Sequence, residues 1–482
     1  MKDLKTNFVY RLIYEILFYA VPVVSLPYIS RVLGSDGVGE YSYAYSVITY
    51  FMMFGALGTV SYGTRQIARL RNDRKAYTRN FWEIEIMSAT ICMICLLAWL
   101  VLIAVHTEHA KFFIALTPFL VGTMFDITWF YMGLERVEII ALAGSAVRIA
   151  GLILLFIMVK GKDDVIIYCI INSVTLLAAN LSMWLFLPKY LVKDNLKGLC
   201  LQRHLKETIV YFVPTIAVSI YLVLDRTLIG LITHDPYQNG YYEQASRIIN
   251  VAEALSFSIY NTVATARFSY LFAEELQEEI KKRIQSSLNV ILFLAYGSVF
   301  GLLGIAGIFV PVFFGDGNEQ VKLMILMMLP LVIIVAISSC IGNLYYTPSG
   351  RRAQSAKYIL AGASMNLILN LVMIPVLGAK GAVVASVVAE LLITALYIRF
   401  CNGFVTVRMI SEFSWKRITA GVMMAVVVWL LSGLPISHAL VLIIQIFAGV
   451  TVYVVLLYSF KDRLVRETVS AILLRILGGK EL

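Results

Sequence analysis

The sequence predicts an all-α polytopic membrane protein: about fourteen transmembrane helices, in two pseudo-symmetric six-helix lobes followed by two C-terminal helices. Three observations predict it. Apolar stretches such as 84–105, 139–159 and 439–460 each run about 20 residues, enough at 1.5 Å per residue to cross a hydrocarbon core of roughly 30 Å. A mean hydropathy of +0.82, with 60% hydrophobic and only 15% charged residues, leaves too little charge to cover a soluble domain. Thirty-one of the 40 Lys and Arg fall in the tails and in every second gap between apolar segments. Basic loops are cytoplasmic, so both termini are expected there. Barrel strands would be half as long and would alternate.

The first span, 10–31, lacks a small-residue cleavage site and reads as a retained helix. Pro22 and Pro27 interrupt it and are the leading hinge candidates, while Arg11 and Glu15, four apart, are expected to pair. The second span, 38–63, opens on Gly39-Glu40-Tyr41-Ser42-Tyr43-Ala44. The third, 82–106, carries Cys92 and Cys95, a C-x-x-C that on an apolar stretch reads as small packing residues. The fourth, 111–133, holds Pro118 and Asp126; the fifth, 139–159, holds Arg148; the sixth, 165–187, completes a first lobe over 1–187. The connection 188–207 is basic and leucine-spaced, a linker expected on the cytoplasmic membrane surface.

Spans at 208–233, 241–266, 287–314, 321–346, 356–376 and 381–400 make a second lobe over 208–400, with Pro214, Pro330 and Pro375 in the seventh, tenth and eleventh. Two further spans, 418–432 and 439–460, fill 418–460. The tail 461–482 places Val465, Val469, Ile472, Leu473 and Ile476 on one helical face, an interfacial pattern. Six spans on each side of the linker give both lobes the same orientation, and short internal matches agree. Gly240-Tyr241-Tyr242-Glu243-Gln244-Ala245 opens the eighth span as Gly39 to Ala44 opens the second, and Ala361-Gly362-Ala363-Ser364-Met365-Asn366 faces Ala143-Gly144-Ser145-Ala146-Val147-Arg148.

Several function classes are excluded. There is no G-x-x-x-x-G-K-[ST] loop and no gap able to hold a nucleotide-binding domain, so the chain does not itself hydrolyse ATP. The net charge of +10 is accounted for by cytoplasmic loops facing anionic lipid, with no nucleic acid. All six cysteines lie in spans or on the cytoplasmic side, where thiols stay reduced. His106 and His109 read as solvated loop residues rather than metal ligands, and Gly315 to Glu319 as an external turn lacking the later Glu of a calcium loop. No cofactor or metal is expected.

The informative residues are the charges within spans: Asp126, Arg148, Asp225, Arg226, Glu243, Arg247, Glu253 and Glu390. Each would cost at least roughly 2.5–3.5 kcal/mol against lipid and must find water or a partner. Glu243 and Arg247, four apart, are either a structural pair or part of a site. Asp225 and Arg226 point about 100° apart and cannot share a partner. Arg148 either pairs with Asp126 or Asp225 across helices, or lines a water-filled cavity that accepts anions.

Pro27-Tyr28-Ile29-Ser30-Arg31-Val32-Leu33-Gly34 followed by Gly37-Val38-Gly39-Glu40-Tyr41 resembles the opening of bacterial Wzx-type flippases, the polysaccharide transporter branch of the multidrug/oligosaccharidyl-lipid/polysaccharide (MOP) exporter superfamily. Asp225-Arg226-Thr227-Leu228-Ile229-Gly230 with Gly240 to Ala245, and Asn366 to Pro375 with Gly378 to Ala382, extend the resemblance over most of the chain to about residue 400. Ala264-Thr265-Ala266-Arg267-Phe268-Ser269 departs from it, standing where the family often reads Pro-Arg-x-Ser. The resemblance implies a non-enzymatic carrier with a central cationic cavity that opens alternately to either side of the bacterial cytoplasmic membrane. The implied cargo is an oligosaccharide repeat unit on undecaprenyl diphosphate, carried from inner to outer leaflet for capsule, O-antigen or exopolysaccharide assembly. Implied partners are the lipid-linked oligosaccharide, membrane lipids, and the polysaccharide polymerase and chain-length machinery.

On that reading Arg31 and Arg267, in matching motifs, join Arg148, Arg226 and Arg247 as candidates for diphosphate contact. Asp126, Asp225, Glu253 and Glu390 are the candidates for binding a counter-moving proton or sodium ion, with the membrane potential as the alternative driving force. Two rivals stand beside it. A cation-coupled multidrug exporter of the same superfamily would want a net acidic cavity, and a membrane polysaccharide polymerase would want a catalytic loop larger than 188–207.

Overall fold

The computed structural model describes residues 4–193, 198–258, 267–274 and 276–476, with side chains described from residue 24 onward except at 210–211, 213–222, 258 and 471–476. The Arg11–Glu15 pair, the rings of Pro22 and Pro214, residues 264–266 and the end of the apolar tail stripe lie outside that description. Every regular element among the described residues is helical. Two compact units form, Met1–Glu243 and Gln244–Leu482.

In the N-terminal unit, α1 (Leu4–Ala56) would be about 80 Å long if unbroken, but Gly34 (φ 74, ψ 175) divides it. The expected gap between the first two spans thus shrinks to one residue, because a glycine alone adopts that backbone without strain. The helix runs on through Pro27, so the break falls at the glycine and not at the proline. Leu57 and Gly58, both at positive φ, then turn the chain into α2 (Thr59–Leu70). α3 (Arg74–Val105) is capped by Asp73, whose carboxylate accepts the Lys75 and Ala76 amides. α4 (Ala110–Met124) passes straight through Pro118; the fourth span breaks instead at 125–127, before α5 (Thr128–Gly133). α6 (Val137–Met158), α7 (Val165–Trp184), α8 (Leu201–Thr233) and α9 (Pro236–Glu253) follow.

α1 packs against α3, α4, α6 and α8, and α7 against α4 and α6. Ile29, Leu33, Ala44, Ile48, Trp99 and Leu116 form one core; a second, aromatic one gathers Phe81, Trp129, Phe130 and Tyr131. α8 begins at Leu201 rather than at the expected 208, so the last seven of the linker's twenty residues are its first turns, and α8 packs with α1, α2 and α3.

The C-terminal unit contains the rest of α9, the π-helical turn Ala254–Ser258, a helical stretch over 267–273, and α10 (Gln277–Phe314), α11 (Glu319–Ile341), α12 (Arg352–Leu377), α13 (Ala379–Phe400), α14 (Val407–Leu430), α15 (His438–Ser459) and α16 (Arg463–Ile476). α10 is the hub, contacting α11, α14 and α15, while α13 joins α11 to α12. The turn at Gly315 and Gly317, both at positive φ, links α10 to α11, as expected. Asp462 caps α16 by accepting the Leu464 and Val465 amides at 3.0 and 3.3 Å.

Among the described residues eleven helical stretches are long and apolar enough to cross a membrane. Ten match expected spans one to one; the eleventh, Val24–Leu70, covers the second span and the end of the first. The expected spans 208–233 and 241–266 include undescribed side chains. Outward-facing Leu, Ile, Val and Phe side chains such as Ile94, Val101, Leu142, Val372 and Phe447 leave an apolar exterior, as lipid contact requires. The chain is a multi-pass membrane protein.

The basic gaps meet as the charge alternation requires. At one end of the N-terminal unit Arg74 donates to the carbonyls of Lys189, Tyr190 and Leu191, Arg79 to that of Gly198, and Arg71 pairs with Glu135 at 2.7 Å. At the opposite end Tyr28 donates to the Val159 carbonyl at 2.7 Å, and His109 lies 3.5 Å from Glu40.

Candidate functional site

The charges expected to need partners are resolved most fully where α8 and α9 form a hairpin against α1. His234 (φ 50) turns the chain out of α8, and Pro236, whose fixed φ suits a first helical position, starts α9. Asn239 then donates to the Arg226 carbonyl at 2.9 Å. Adjacent Asp225 and Arg226, pointing apart on α8, meet adjacent Tyr242 and Glu243 on α9. The Tyr242 hydroxyl donates to Asp225 at 2.5 Å, and the Arg226 Nε lies 2.7 Å from Glu243 Oε2.

α1 completes this polar seam. Ser42 donates to the same Glu243 oxygen at 3.3 Å, and farther along Thr227 bonds Ser46 at 2.9 Å and Tyr50 at 3.2 Å. Just before the seam, α1 and α9 meet backbone to backbone. A Cβ on Gly39 would overlap the Pro236 carbonyl oxygen and lie 2.8 Å from the Gly240 nitrogen; one on Gly240 would overlap the Ser35 carbonyl oxygen. The contact is reciprocal, four residues back from each glycine. It brings together the two motifs that the sequence matched as repeats.

The Arg226–Glu243 contact is close, yet the Nε–H is not aligned on the carboxylate, so it is an ion pair without a hydrogen bond at that nitrogen. Glu243 is 4% exposed and Arg226 is 19% exposed. The cation is therefore the more exposed member of the pair. Chemically the seam offers exchangeable hydrogen bonds and one partly exposed guanidinium, a group that suits anion binding. Among the described residues no group of three or more His, Cys, Asp or Glu could hold a metal.

The other candidates are placed as follows. Arg31 is exposed on α1, Arg148 half-buried on α6, Arg247 half-buried on α9 and Arg267 exposed at the start of 267–273. Arg31, Arg148 and Arg226 belong to the N-terminal unit, Arg247 and Arg267 to the C-terminal one. Glu243, on α9, meets Arg226 on α8 and Ser42 on α1. Asp126 sits in the 125–127 break, where its carboxylate accepts the Thr128 amide at 2.9 Å, and the charge of Glu85 on α3 feels it. Glu253 ends α9 immediately before the π-helical turn and lies within electrostatic reach of Glu390 on α13.

Sequence reasoning missed several of these partners. Ser42 and Ser46 lie on the Gly39 face of α1, a spacing of three and seven that was legible; the cross-helix partners were not. Glu83 and Glu85 are both buried on α3. The ring nitrogens of His204 lie 2.7 Å from Glu83 and 2.7 Å from the Tyr62 hydroxyl, a buried tie between α8, α3 and α2. Arg417, expected only to orient the chain, is fully buried; it donates to the Asn289 carbonyl at 2.8 Å, contacts the Asn289 side chain and pairs with Asp462 at 3.3 Å. His109, expected to be merely solvated, is 21% exposed, faces Glu40 and packs its ring against Tyr43.

A profile of the family described as polysaccharide biosynthesis protein matches residues 4–272. A putative O-antigen transporter of Escherichia coli (strain K12) is 23% identical over 408 residues, 83% of this chain and 97% of that protein. Another, of Shigella dysenteriae, is 22% identical over 401 residues, 79% of this chain and 96% of that protein. Among solved structures, the lipid II flippase MurJ in an inward closed conformation superposes with a TM-score of 0.72 at 16% identity, over 95% of this chain and 99% of that one. An inward-facing multidrug resistance MATE family transporter of the MOP superfamily superposes at 0.56 with 11% identity, over 82% and 98%. At such identities the two structures establish a shared fold.

Proposed function

Because the chain belongs to the polysaccharide biosynthesis protein family, we propose that it is a flippase for lipid-linked sugar. The cargo is an undecaprenyl-diphosphate-linked oligosaccharide repeat unit, carried from the inner to the outer leaflet of a bacterial cytoplasmic membrane by alternating access, for capsule, O-antigen or exopolysaccharide assembly. The polymerase and chain-length machinery of that assembly would take over the product, and both termini face the cytoplasm. The relatives named as transporters support a carrier rather than an enzyme.

The observation that carries the proposal is Arg226: a guanidinium inside an apolar helix, partly exposed and met by one misaligned carboxylate contact. An arginine in such a place must pair with an acid, meet backbone carbonyls or serve a ligand, and the poor alignment of its one carboxylate contact favours the last of these. Its planar fork binds two oxygens of a diphosphate and stays charged at any physiological pH. The sugar headgroup needs a hydrated path, since each unpaired hydroxyl costs a few kcal/mol in hydrocarbon. Arg31, Arg148, Arg247 and Arg267 are further candidate contacts. An inside-negative potential favours outward movement of anions by roughly 2.3 kcal/mol per charge per 100 mV; Asp126, Asp225, Glu253 and Glu390 are the candidates for ion coupling.

Ligand-induced thermal stabilisation of the purified chain tests the choice of cargo. A short-chain prenyl-diphosphate oligosaccharide is expected to raise the unfolding temperature, with the effect lost in Arg226→Ala. Stabilisation by organic cations alone would instead favour the drug-exporter reading.

A further inference from the structure

Where α8 leaves the linker, polar side chains from three helices meet that the proposed carrier function does not use. His204, buried near the start of α8, has an oxygen 2.7 Å from each ring nitrogen: Glu83 of α3 at Nε2 and the Tyr62 hydroxyl of α2 at Nδ1. The other oxygen of Glu83 accepts the Cys200 amide at 3.1 Å and lies 3.4 Å from Arg79, contacts that hold the group as an anion. A carboxylate only accepts, so Nε2 carries a hydrogen in either charge state of the ring. In the neutral ring Nδ1 is then bare and accepts the Tyr62 hydroxyl hydrogen. In the cation Nδ1 donates to the Tyr62 oxygen, and the hydroxyl hydrogen must turn to another acceptor. That acceptor is present, because Tyr62 is also within hydrogen-bonding range of Glu207, one turn along α8 from His204. Glu207 takes a hydrogen bond from Gln66 at 3.0 Å, lies 3.5 Å from Arg203 and is 43% exposed. The cluster thus accommodates both charge states of a buried imidazole and leads from it to the surface.

We propose that His204 is a proton-binding site, loaded from the aqueous side through Glu207 and Tyr62, and that the bound proton tightens the hold of α8 on α2 and α3. A proton taken from water by Glu207 moves to the Tyr62 oxygen as the tyrosine's own hydrogen moves to Nδ1. Glu207 is left a carboxylate again, Tyr62 a neutral hydroxyl aimed at it, and the ring a cation between Glu83 and Tyr62. One proton has entered, and each group keeps a partner. Imidazole suits the task because its charge ordinarily changes between about pH 5 and 8. The proton-bound state adds a hydrogen bond at Tyr62 and makes the contact with Glu83 a charged one. The hold is therefore strongest at acid pH and weakens as pH rises through the titration of His204. The charged and titratable groups around the ring are Glu83 with Arg79 from α3, Tyr62 from α2, and Glu207 with Arg203 from α8 itself. α1, which also packs on α8, carries no Asp, Glu, Lys or Arg between Glu40 and its end at Ala56. The site is independent of the cargo.

Side-chain nitrogen NMR of the full chain in detergent, with labelled histidine, separates the two neutral tautomers from the cation. His204→Gln, or replacement of the other four of the five histidines, identifies the His204 signals. As pH falls from about 8.5 to about 5.5, the neutral ring with its hydrogen on Nε2 is expected to give way to the cation. A ring that stays neutral throughout, or carries its neutral hydrogen on Nδ1, overturns the site. Tyr62→Phe removes the acceptor for the Nδ1 hydrogen and is expected to lower the midpoint by at least about one pH unit, the loss of one charge-assisted hydrogen bond. Glu207→Asp keeps the charge but withdraws the carboxylate from Tyr62; it is expected to lower the midpoint in the parent and not in Tyr62→Phe. An unchanged midpoint in Glu207→Asp, or an equal fall in both backgrounds, overturns the relay. Should Tyr62→Phe not fold, Glu207→Asp in the parent is read alone, with the same fall expected and an unchanged midpoint overturning the relay. Amide hydrogen exchange, corrected for its intrinsic pH dependence, is expected to show greater protection at the start of α8 at the acid end of the range. A dependence that persists undiminished in His204→Gln overturns the tightening.

Discussion

Replacing Gly39 and Gly240 by alanine, singly and together, gives a non-additive result fixed by the reciprocity of their contact. A Cβ at 39 would lie 2.7 Å from the Pro236 carbonyl carbon and 2.8 Å from the Gly240 nitrogen; one at 240 would lie 2.7 Å from the Ser35 carbonyl carbon. Ordinary carbon contacts are about 3.5–4.0 Å, so the helices must part by roughly 1 Å. Overpacking of this kind costs about 1–3 kcal/mol, offset by up to about 1 kcal/mol because alanine favours helix over glycine. One parting relieves both clashes. The double variant therefore suffers the packing loss once while gaining the helix term twice, and should be no less stable than either single variant. Equilibrium unfolding in mixed micelles of the four proteins measures the coupling, expected to be at least about 1 kcal/mol. Additivity within about 0.5 kcal/mol, or stabilisation by either single alanine, would refute the backbone contact.

Arg417→Ala should destabilise the C-terminal unit by about 3–5 kcal/mol, since it strands Asp462 and the Asn289 carbonyl among buried groups; a loss under about 1 kcal/mol in the same unfolding assay would place Arg417 at the surface instead. His204→Ala should cost about 1–3 kcal/mol by leaving Glu83 and the Tyr62 hydroxyl short of a partner, read as lower protection from hydrogen exchange at the start of α8. Arg148→Ala should reduce leaflet transfer and Arg148→Lys should retain part of it, because lysine keeps the charge but not the two-oxygen fork; full transfer in both folded variants would remove Arg148 from the diphosphate contacts.

Hydropathy and charge alternation made the spans legible because lipid imposes both the length and the polarity of each segment. Their ends were not legible. α10 starts ten residues before the expected 287 because Lys281, Lys282 and Arg283 are good helix formers that hydropathy counts as loop. Prolines were poor guides to breaks: Pro118 stays within a continuous helix while the chain opens at 125–127. The buried charges were legible as residues needing partners, but partners are set by helix packing across long separations. Four-residue spacing offered Glu243 only Arg247; Arg226, on the preceding helix and 2.7 Å away in the structure, was not legible as a partner. Likewise Arg417 looked like loop charge because its partners, Asn289 and Asp462, are far away in sequence.

The most direct test reconstitutes the purified chain in liposomes with a short-chain prenyl-diphosphate oligosaccharide in one leaflet and follows its appearance in the other under an inside-negative potential. Transfer that depends on the protein, is lost in Arg226→Ala and is absent for the uncharged prenyl alcohol is the expected result. Equal transfer in protein-free liposomes, or none with a well-folded protein under that potential or an imposed proton or sodium gradient, would contradict the account.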